Sequence, residues 1–456
     1  MRCLEAAPLV HDRTDAATPS PARRALVAAE GSSLVRVCGL TLLERTLRSL
    51  ARAGISRATV VSSRADVLEQ ARRRHWSRRS LEVKPVTRQG APGPAEPTPL
   101  SLGELRTVVE EDGSLYVPAD VLCDVRLLAA LRSAPPGTIL VDSCPPADVA
   151  PLLEPAPPAG VGWMVGPARV DAARLATMDP GVAVWRALRI ATMEAGGGRL
   201  DVAAVPGYIA SMRRTVRPLW FPAPPAALQP LAERLLLDTA QKGVLDLPAR
   251  VHGPIETFLV ARLCRTGITP NQLTVFAAAS AWAATALFAT GHVGAGLAVA
   301  LAVGVLDGLD GKQARVKLET SKVGELEHVS DFLFELSWWS ALAWHFHRTG
   351  ALPWAPLLLL ALYVAEGLDG VAKLLAKRWS GKMIDDASPV LRRVRLVGGR
   401  RNVYVWIMTA GALAGNTALA YRILPAWEAA TAAIHWACLL PWLPLWPGRR
   451  AAVARA

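Results

Sequence analysis

The amino-acid sequence predicts an α/β domain followed by an all-α, six-helix transmembrane domain. Three observations carry that prediction. The chain is 52% apolar and only 20% charged, and the surplus lies in its second half. From Gln272 to Leu306 there is no Asp, Glu, Lys or Arg. Before residue 226, short apolar runs suited to buried strands alternate with helical periodicity.

At 456 residues the chain has room for two or three domains. Its Pro and Gly follow no period, which excludes a collagen-like repeat, and its apolar content excludes a disordered acidic chain. Six scattered cysteines without a CxxC pair argue against a disulfide framework or structural zinc and for a reducing compartment. No secretory signal is expected, because the first thirty residues mix acids, bases and prolines.

A polar leader (1–22) precedes the α/β domain (23–225). Arg24 to Ala29 suits a buried parallel strand, Leu42 to Ala53 a helix stopped by Gly54, and Ala58 to Val61 a second strand, together a βαβ unit. Later strands end at Asp120 and Asp142, and acids at such strand ends lie where α/β sheets bind ligands. Arg72, Arg73, Arg74, Arg78 and Arg79 read as a solvated helix face rather than a nucleic-acid site.

A juxtamembrane linker (226–268) leads to the membrane domain (269–456). As one helix, Gln272 to Leu306 would run to about 52 Å, too long for a hydrocarbon core of about 30 Å. Broken at Gly291-His292-Val293-Gly294 it supplies two spans. Phe332 to His347, Thr349 to Ala365, Asn402 to Tyr421 and Ala429 to Gly448 make six, with Trp338, Trp339, Trp354, Trp379, Trp427 and Trp446 near span ends.

Segment 372–402 carries nine bases and two acids, a charge of +7, and the tail after Gly448 adds +3 of the total +13. The connections near 291–294, 348–353 and 422–427 hold only Arg348 and Arg422. Both termini and the basic loops are therefore expected in the cytoplasm. The net charge describes topology rather than affinity for nucleic acid.

Carboxylates at a membrane edge are costly, about 2.5–3.5 kcal/mol each on insertion scales, which makes them functional candidates. The second span ends with Asp307 and Asp310 on one helix face, and the third begins with Glu327, Asp331 and Glu335 on another. Hard oxygen ligands at this spacing suit Mg²⁺, Mn²⁺ or Ca²⁺. Gly308, Gly311 and Ala314 keep the first face bare, so a phosphate or base can approach the backbone, and Arg315 can pair with phosphate.

These residues resemble the signature of the CDP-alcohol phosphotransferases: Asp307, Asp310, Gly311, Ala314, Arg315 and Gly324 match it in place. The family's last two aspartates would fall on His328 and Phe332, but Glu327 and Asp331 keep the four-residue spacing one position earlier. Thr269-Pro270-Asn271-Gln272-Leu273-Thr274 resembles the family's entry motif. The resemblance implies a homodimer with a divalent cation, Mg²⁺ or Mn²⁺, on Asp307, Asp310, Glu327 and Asp331. Asp307, Gly311, Ala314, Arg315 and Gly324 would then bind CDP, and Asp331 would act as base toward the acceptor hydroxyl.

The first domain resembles the sugar-phosphate nucleotidyltransferases, with Gly31 at the phosphate turn, Asp120 at the metal position and Asp201 as a second acid. The family's Gly-x-Gly-x-Arg loop and downstream Lys are missing between Ala28 and Gly39. A nucleoside triphosphate would lack its cations, so the domain is expected to be catalytically degenerate.

The fusion resembles bifunctional inositol-1-phosphate cytidylyltransferase and di-myo-inositol-phosphate phosphate synthases. That implies an acceptor such as inositol phosphate, with Arg392, Arg393, Arg395, Arg400 and Arg401 as candidates for its phosphate, or as topology signals that meet anionic lipid. Glu366 and Asp369 are candidates for acceptor hydroxyls or mark a span end. Phe258 to Leu263 suits an interfacial helix. The partners are thus a CDP-linked alcohol, a hydroxyl acceptor and membrane lipids. Two other readings stay open: a CDP-diacylglycerol-dependent phospholipid synthase, and a carboxylate-lined ion or proton transporter.

Overall fold

Arg24–Ala28 (β1) is too short and apolar to stand alone as a helix, and its central residues are buried on both faces as a parallel strand requires. It pairs in parallel with β2 (Arg57–Ser62) and β4 (Leu115–Pro118), while β2 pairs in parallel with β3 (Glu82–Thr87). Helix α1 (Leu42–Arg52) makes the β1–β2 crossover, capped by Thr41 Oγ1, which accepts the Glu44 N–H at 3.2 Å. The expected βαβ unit is present. Strands β5 (Thr138–Asp142) and β7 (Gly198–Asp201) are parallel, and β6 (Trp163–Arg169) lies antiparallel between β4 and β5. The sheet order is β7-β5-β6-β4-β1-β2-β3.

This computed structural model describes residues 20–88, 100–108, 114–153, 162–171, 173, 176–193, 198–243, 245–319, 324–381, 383–386 and 388–440. Within these, the side chains of 104, 107–108, 185, 189, 191–193 and 324–331 lie outside the description. The chain forms two units. One is Met1–Gln241 with Cys264–Thr266 and Arg315–Thr320; the other is Lys242–Leu263, Gly267–Ala314 and Ser321–Ala456.

The second unit is helical: α2 (Leu247–Leu263), α3 (Pro270–Ala289), α4 (Val293–Val316), α5 (Gly324–Arg348), α6 (Ala355–Ser380), α7 (Pro389–Val397), α8 (Arg401–Leu413) and α9 (Thr417–Leu439). The entry motif starts α3 as its chemistry requires, with Pro270 in the first turn and a reciprocal capping box between Thr269 and Gln272. Among the described residues three of these helices are long and apolar enough to cross a membrane, α3, α4 and α6, with mean hydropathies of 1.4, 1.7 and 1.5. Their apolar faces point outward at Val275, Phe276, Leu357, Leu360 and Val364. Helix α2 likewise exposes Leu247, Val251, Ile255 and Phe258 at helical spacing.

Several expectations are corrected. The expected connection at 422–427 lies inside α9; the break is at Ala414–Asn416, where Gly415 has φ 71° and Asn416 Oδ1 accepts the Leu419 N–H at 2.9 Å. Trp338 and Trp339 are not interfacial. They are fully buried in the helical core, where the Trp339 ring meets Tyr404 edge-on at 5.5 Å. Arg78 is not a solvated charge but is 4% exposed and lies 3.7 Å from Glu44. Cys38, Cys123, Cys264 and Cys438 are free. Most of the polar leader, the end of the last expected span and the basic tail lie outside the described residues.

Candidate active site

Helix α4 carries Asp307 and Asp310 one turn apart. Asp310 is 5% exposed, and its Oδ2 accepts the Thr274 hydroxyl at 2.6 Å. The entry motif therefore does two jobs: Thr269 caps α3, and Thr274 orients a signature carboxylate. Asp307 is half-buried and accepts Arg401 Nη2 at 2.6 Å.

The bare face expected along α4 is partly filled. A Cβ on Gly308 would lie 2.2 Å from Glu256 Oε1, and one on Gly304 would lie 3.0 Å from His252 Cε1. The small residues there admit α2 side chains, not a ligand. Gly311 and Ala314 are half-buried. Lys312 is buried and donates to Thr257 Oγ1 at 2.5 Å, and Gln313 donates to the Ile268 carbonyl at 2.6 Å.

A cavity of about 410 Å³ opens within the helical unit. Asp246, Glu335, Glu366, Asp369 and Glu428 line it with carboxylates, and Lys373, Arg400 and Arg401 with cations. Asp369 forms an ion pair with Lys373 and a hydrogen bond with His435 Nδ1, and Glu428 Oε2 accepts the Tyr404 hydroxyl at 2.6 Å. Gly399 is required beside them, since a Cβ there would overlap the Glu428 carboxylate. Through its bond to Asp307, Arg401 joins this cavity to the signature helix. Carboxylates can accept the hydroxyls of a polar ligand, and guanidinium and ammonium groups can hold its phosphate.

Of the five arginines considered for an acceptor phosphate, Arg400 and Arg401 line the cavity. Arg392 pairs with Asp386 at 3.1 Å, Arg395 with Asp385 at 2.7 Å, and Arg393 is exposed on α7. Arg315 donates Nε to the Ala240 carbonyl at 2.7 Å. Gly324, Glu327, His328 and Asp331 fall in the first turns of α5, but their side chains lie outside the described residues. Sequence reasoning missed Asp246, Asn402 and Glu428 as cavity residues and took Lys373 only as a topology charge. Gly415-Asn416 was the signal that would have placed Glu428 inside a span, where an acid is conspicuous.

At the carboxyl ends of the central strands of the first unit, the turns after β1 and β4 meet: Ser32 Oγ donates to Asp120 Oδ2 at 3.3 Å. A Cβ on Gly31 would lie 3.3 Å from Arg64 Nη1, but Arg64 is paired with Asp66 at 2.7 Å, and Arg88 lies 3.9 Å from Glu30. Asp201 Oδ1 caps a short helical turn by accepting the Ala203 N–H at 2.8 Å. The residues in place of the missing phosphate loop form a small hairpin, Arg36–Val37 with Leu40–Thr41. Gly39, at φ 79°, packs so closely that a Cβ would lie 1.9 Å from the Cys264 carbonyl oxygen.

Among the described residues no group of three His, Cys, Asp or Glu side chains is placed to hold a metal ion. Asp307 and Asp310 are hard oxygen donors one helical turn apart, which fits half of a Mg²⁺ or Mn²⁺ site.

Residues 267–387 match the family model of the CDP-alcohol phosphatidyltransferases. The chain is 30% identical over 187 residues to the bifunctional IPC transferase and DIPP synthase of Aquifex aeolicus strain VF5, covering 39% of this chain. It spans 40% of the length of that relative. Phosphatidylinositol phosphate synthase of Mycobacterium tuberculosis, solved with CDP-DAG bound, is similar over 41% of this chain and 92% of its own, at 22% identity and a TM-score of 0.31. Inositol-1-phosphate CTP transferase from T. maritima is similar over 47% and 96%, at 13% identity and a TM-score of 0.32. Scores this low leave the fold to be read from the observed topology.

Proposed function

We propose that this protein, whose residues 267–387 match the family model of the CDP-alcohol phosphatidyltransferases, is a membrane transferase that moves a phospho-alcohol from a CDP-linked donor to a hydroxyl acceptor, with release of CMP. One observation supports this most directly: Arg401 ties the signature Asp307 to a cavity lined by both carboxylates and cations. Such a cavity suits a polyol phosphate, with hydroxyls on Glu366 and its neighbours and phosphate on Lys373, Arg400 and Arg401.

Asp307, Asp310, Glu327 and Asp331 would hold divalent metal, which supplies charge neutralisation on the CDP pyrophosphate. Gly311, Ala314 and Gly324 leave the backbone open to CDP, and Arg315 pairs with its phosphate. Asp331 takes the proton as the acceptor oxygen attacks the alcohol-bearing phosphorus in line; the bond from that phosphorus to the CMP oxygen breaks, and CMP leaves. Arg401 exchanges Asp307 for the acceptor phosphate once Asp307 is committed to the donor.

The α/β unit, whose arginines near the turn face protein carboxylates, is read as inactive in nucleotidyl transfer. Six spans with cytoplasmic termini remain the topology that best suits the basic 372–402 segment, with the last hairpin turning at 414–416. By family resemblance the working unit is a homodimer.

The test is CMP release by the purified protein across a panel of CDP-alcohols and hydroxyl acceptors, with Mg²⁺ and with EDTA. A water-soluble phosphodiester is expected. A lipid product would instead establish a phospholipid synthase, and ion uptake without CMP a transporter. The reading fails if Asp310→Asn and Asp331→Asn both leave CMP release intact.

A further inference from the structure

The N-terminal unit takes in a piece of the membrane half that its own fold does not need. Arg315–Thr320 groups with it, and this piece begins the link between α4 and α5, the helices that carry the signature carboxylates. Two buried arginines of α1 hold it. Arg45, 3% exposed, donates Nη1 to the Val316 carbonyl at 2.8 Å and Nη2 to the Val37 carbonyl at 3.2 Å. Arg48, 2% exposed, donates Nη1 to the Lys317 carbonyl at 2.7 Å and to Glu319 Oε1 at 3.0 Å, while Glu44 holds its Nε at 2.9 Å.

The last carbonyls of a helix need partners, and here residues some 270 positions away supply them. The next residue, Leu318, has φ 51°, a left-handed backbone that a leucine adopts only where its surroundings impose it. Lys317 closes the arrangement by donating Nζ to the Thr266 carbonyl at 3.1 Å. Burying two guanidinium groups is expensive, and a passive tether between domains would not require it.

We propose that the α/β unit acts as a clamp on the C-terminal end of α4, in which Arg45 and Arg48 are positioning residues that fix residues 316–319 and with them Arg315. An α/β domain whose phosphate turn is replaced by a packed hairpin thereby has a reason to be retained. The clamp rests on geometry alone; its effect on catalysis rests on the transferase reading above.

The test uses the full-length protein with Arg45→Ala, Arg48→Ala and the conservative Arg48→Lys. Arg57→Ala, which breaks an exposed pair with Glu82 in the same unit, is the control. The first readout is trypsin cleavage after Lys317, a residue only 6% exposed, followed by mass spectrometry. Cleavage is expected to accelerate by at least about tenfold in the two alanine variants and not in Arg57→Ala, because local opening sets the rate. The second readout is CMP release, in which kcat/KM for the donor should fall by roughly tenfold with acceptor KM nearly unchanged, and Arg48→Lys should recover part of the loss.

Unchanged cleavage in both alanine variants overturns the clamp. Faster cleavage with unchanged donor kcat/KM overturns the positioning role. If Arg48→Ala does not fold, Glu319→Gln loosens the same link from its other side and must meet the same two criteria. A wild type that releases no CMP while the cleavage pattern holds overturns the transferase reading and leaves the clamp in place.

Discussion

The charges around α1 and those around the 410 Å³ cavity solve opposite problems. Glu44, Arg45, Arg48 and Glu319 are all buried, and the contacts described for them run to other protein groups. Lys373, Asp369, Glu428 and Arg401 also pair with protein groups, yet they border open space. A closed network commits its desolvation cost to geometry, whereas an open one keeps donors and acceptors at hand for a ligand.

If that contrast holds, damage to the two networks should separate activity from stability. The largest effect is expected from Asp310→Asn, with CMP release reduced at least about a hundredfold and the thermal midpoint nearly unchanged. Parallel activity and melting measurements check this, and a lost fold with retained specific activity would break the comparison. Arg48→Ala should do the reverse in its first effect, costing about 3–5 kcal/mol of stability in denaturant titration, because Glu44 and Glu319 lose a buried partner.

A smaller effect is expected at the cavity. Asp369→Asn weakens the hold on Lys373 and His435, and acceptor KM should rise by roughly tenfold while donor KM stays constant. Acceptor-saturation curves decide it, and an unchanged acceptor KM would remove Asp369 from the acceptor site.

The smallest effect concerns pH. Burial, with Arg48, Arg78 and Lys317 nearby, pushes the His75 imidazole down to about 4 from its ordinary 6.5. As pH falls through 6.5 the unfolded chain takes up the proton first, so the stability contributed by neutral His75 declines toward pH 4 and is full above 6.5. Melting curves across that window should show a shallower slope for His75→Gln than for the wild type, and equal slopes would exclude this coupling.

Much of this molecule was legible before its structure. The βαβ start, the α3 capping box and the shared face of Asp307 and Asp310 all follow from patterns only a few residues long. Glu428 was hidden by a misplaced helix break: Arg422 ended an uncharged stretch, so 422–427 looked like a loop, and Gly415-Asn416 was the true stop and start. Gly308 read as open space because glycine reports only that a side chain is absent. Packing decided that Glu256 fills the gap.

By itself, then, the sequence determined the α/β start, the long apolar helices and the carboxylate pair on α4, because helical spacing, caps and hydropathy act over a few neighbouring residues. Tertiary structure alone decided that Arg401 meets Asp307 across 94 positions and Arg48 meets the Lys317 carbonyl across 269. No local rule selects such partners. They are chosen when buried charges, unable to find water, must find one another.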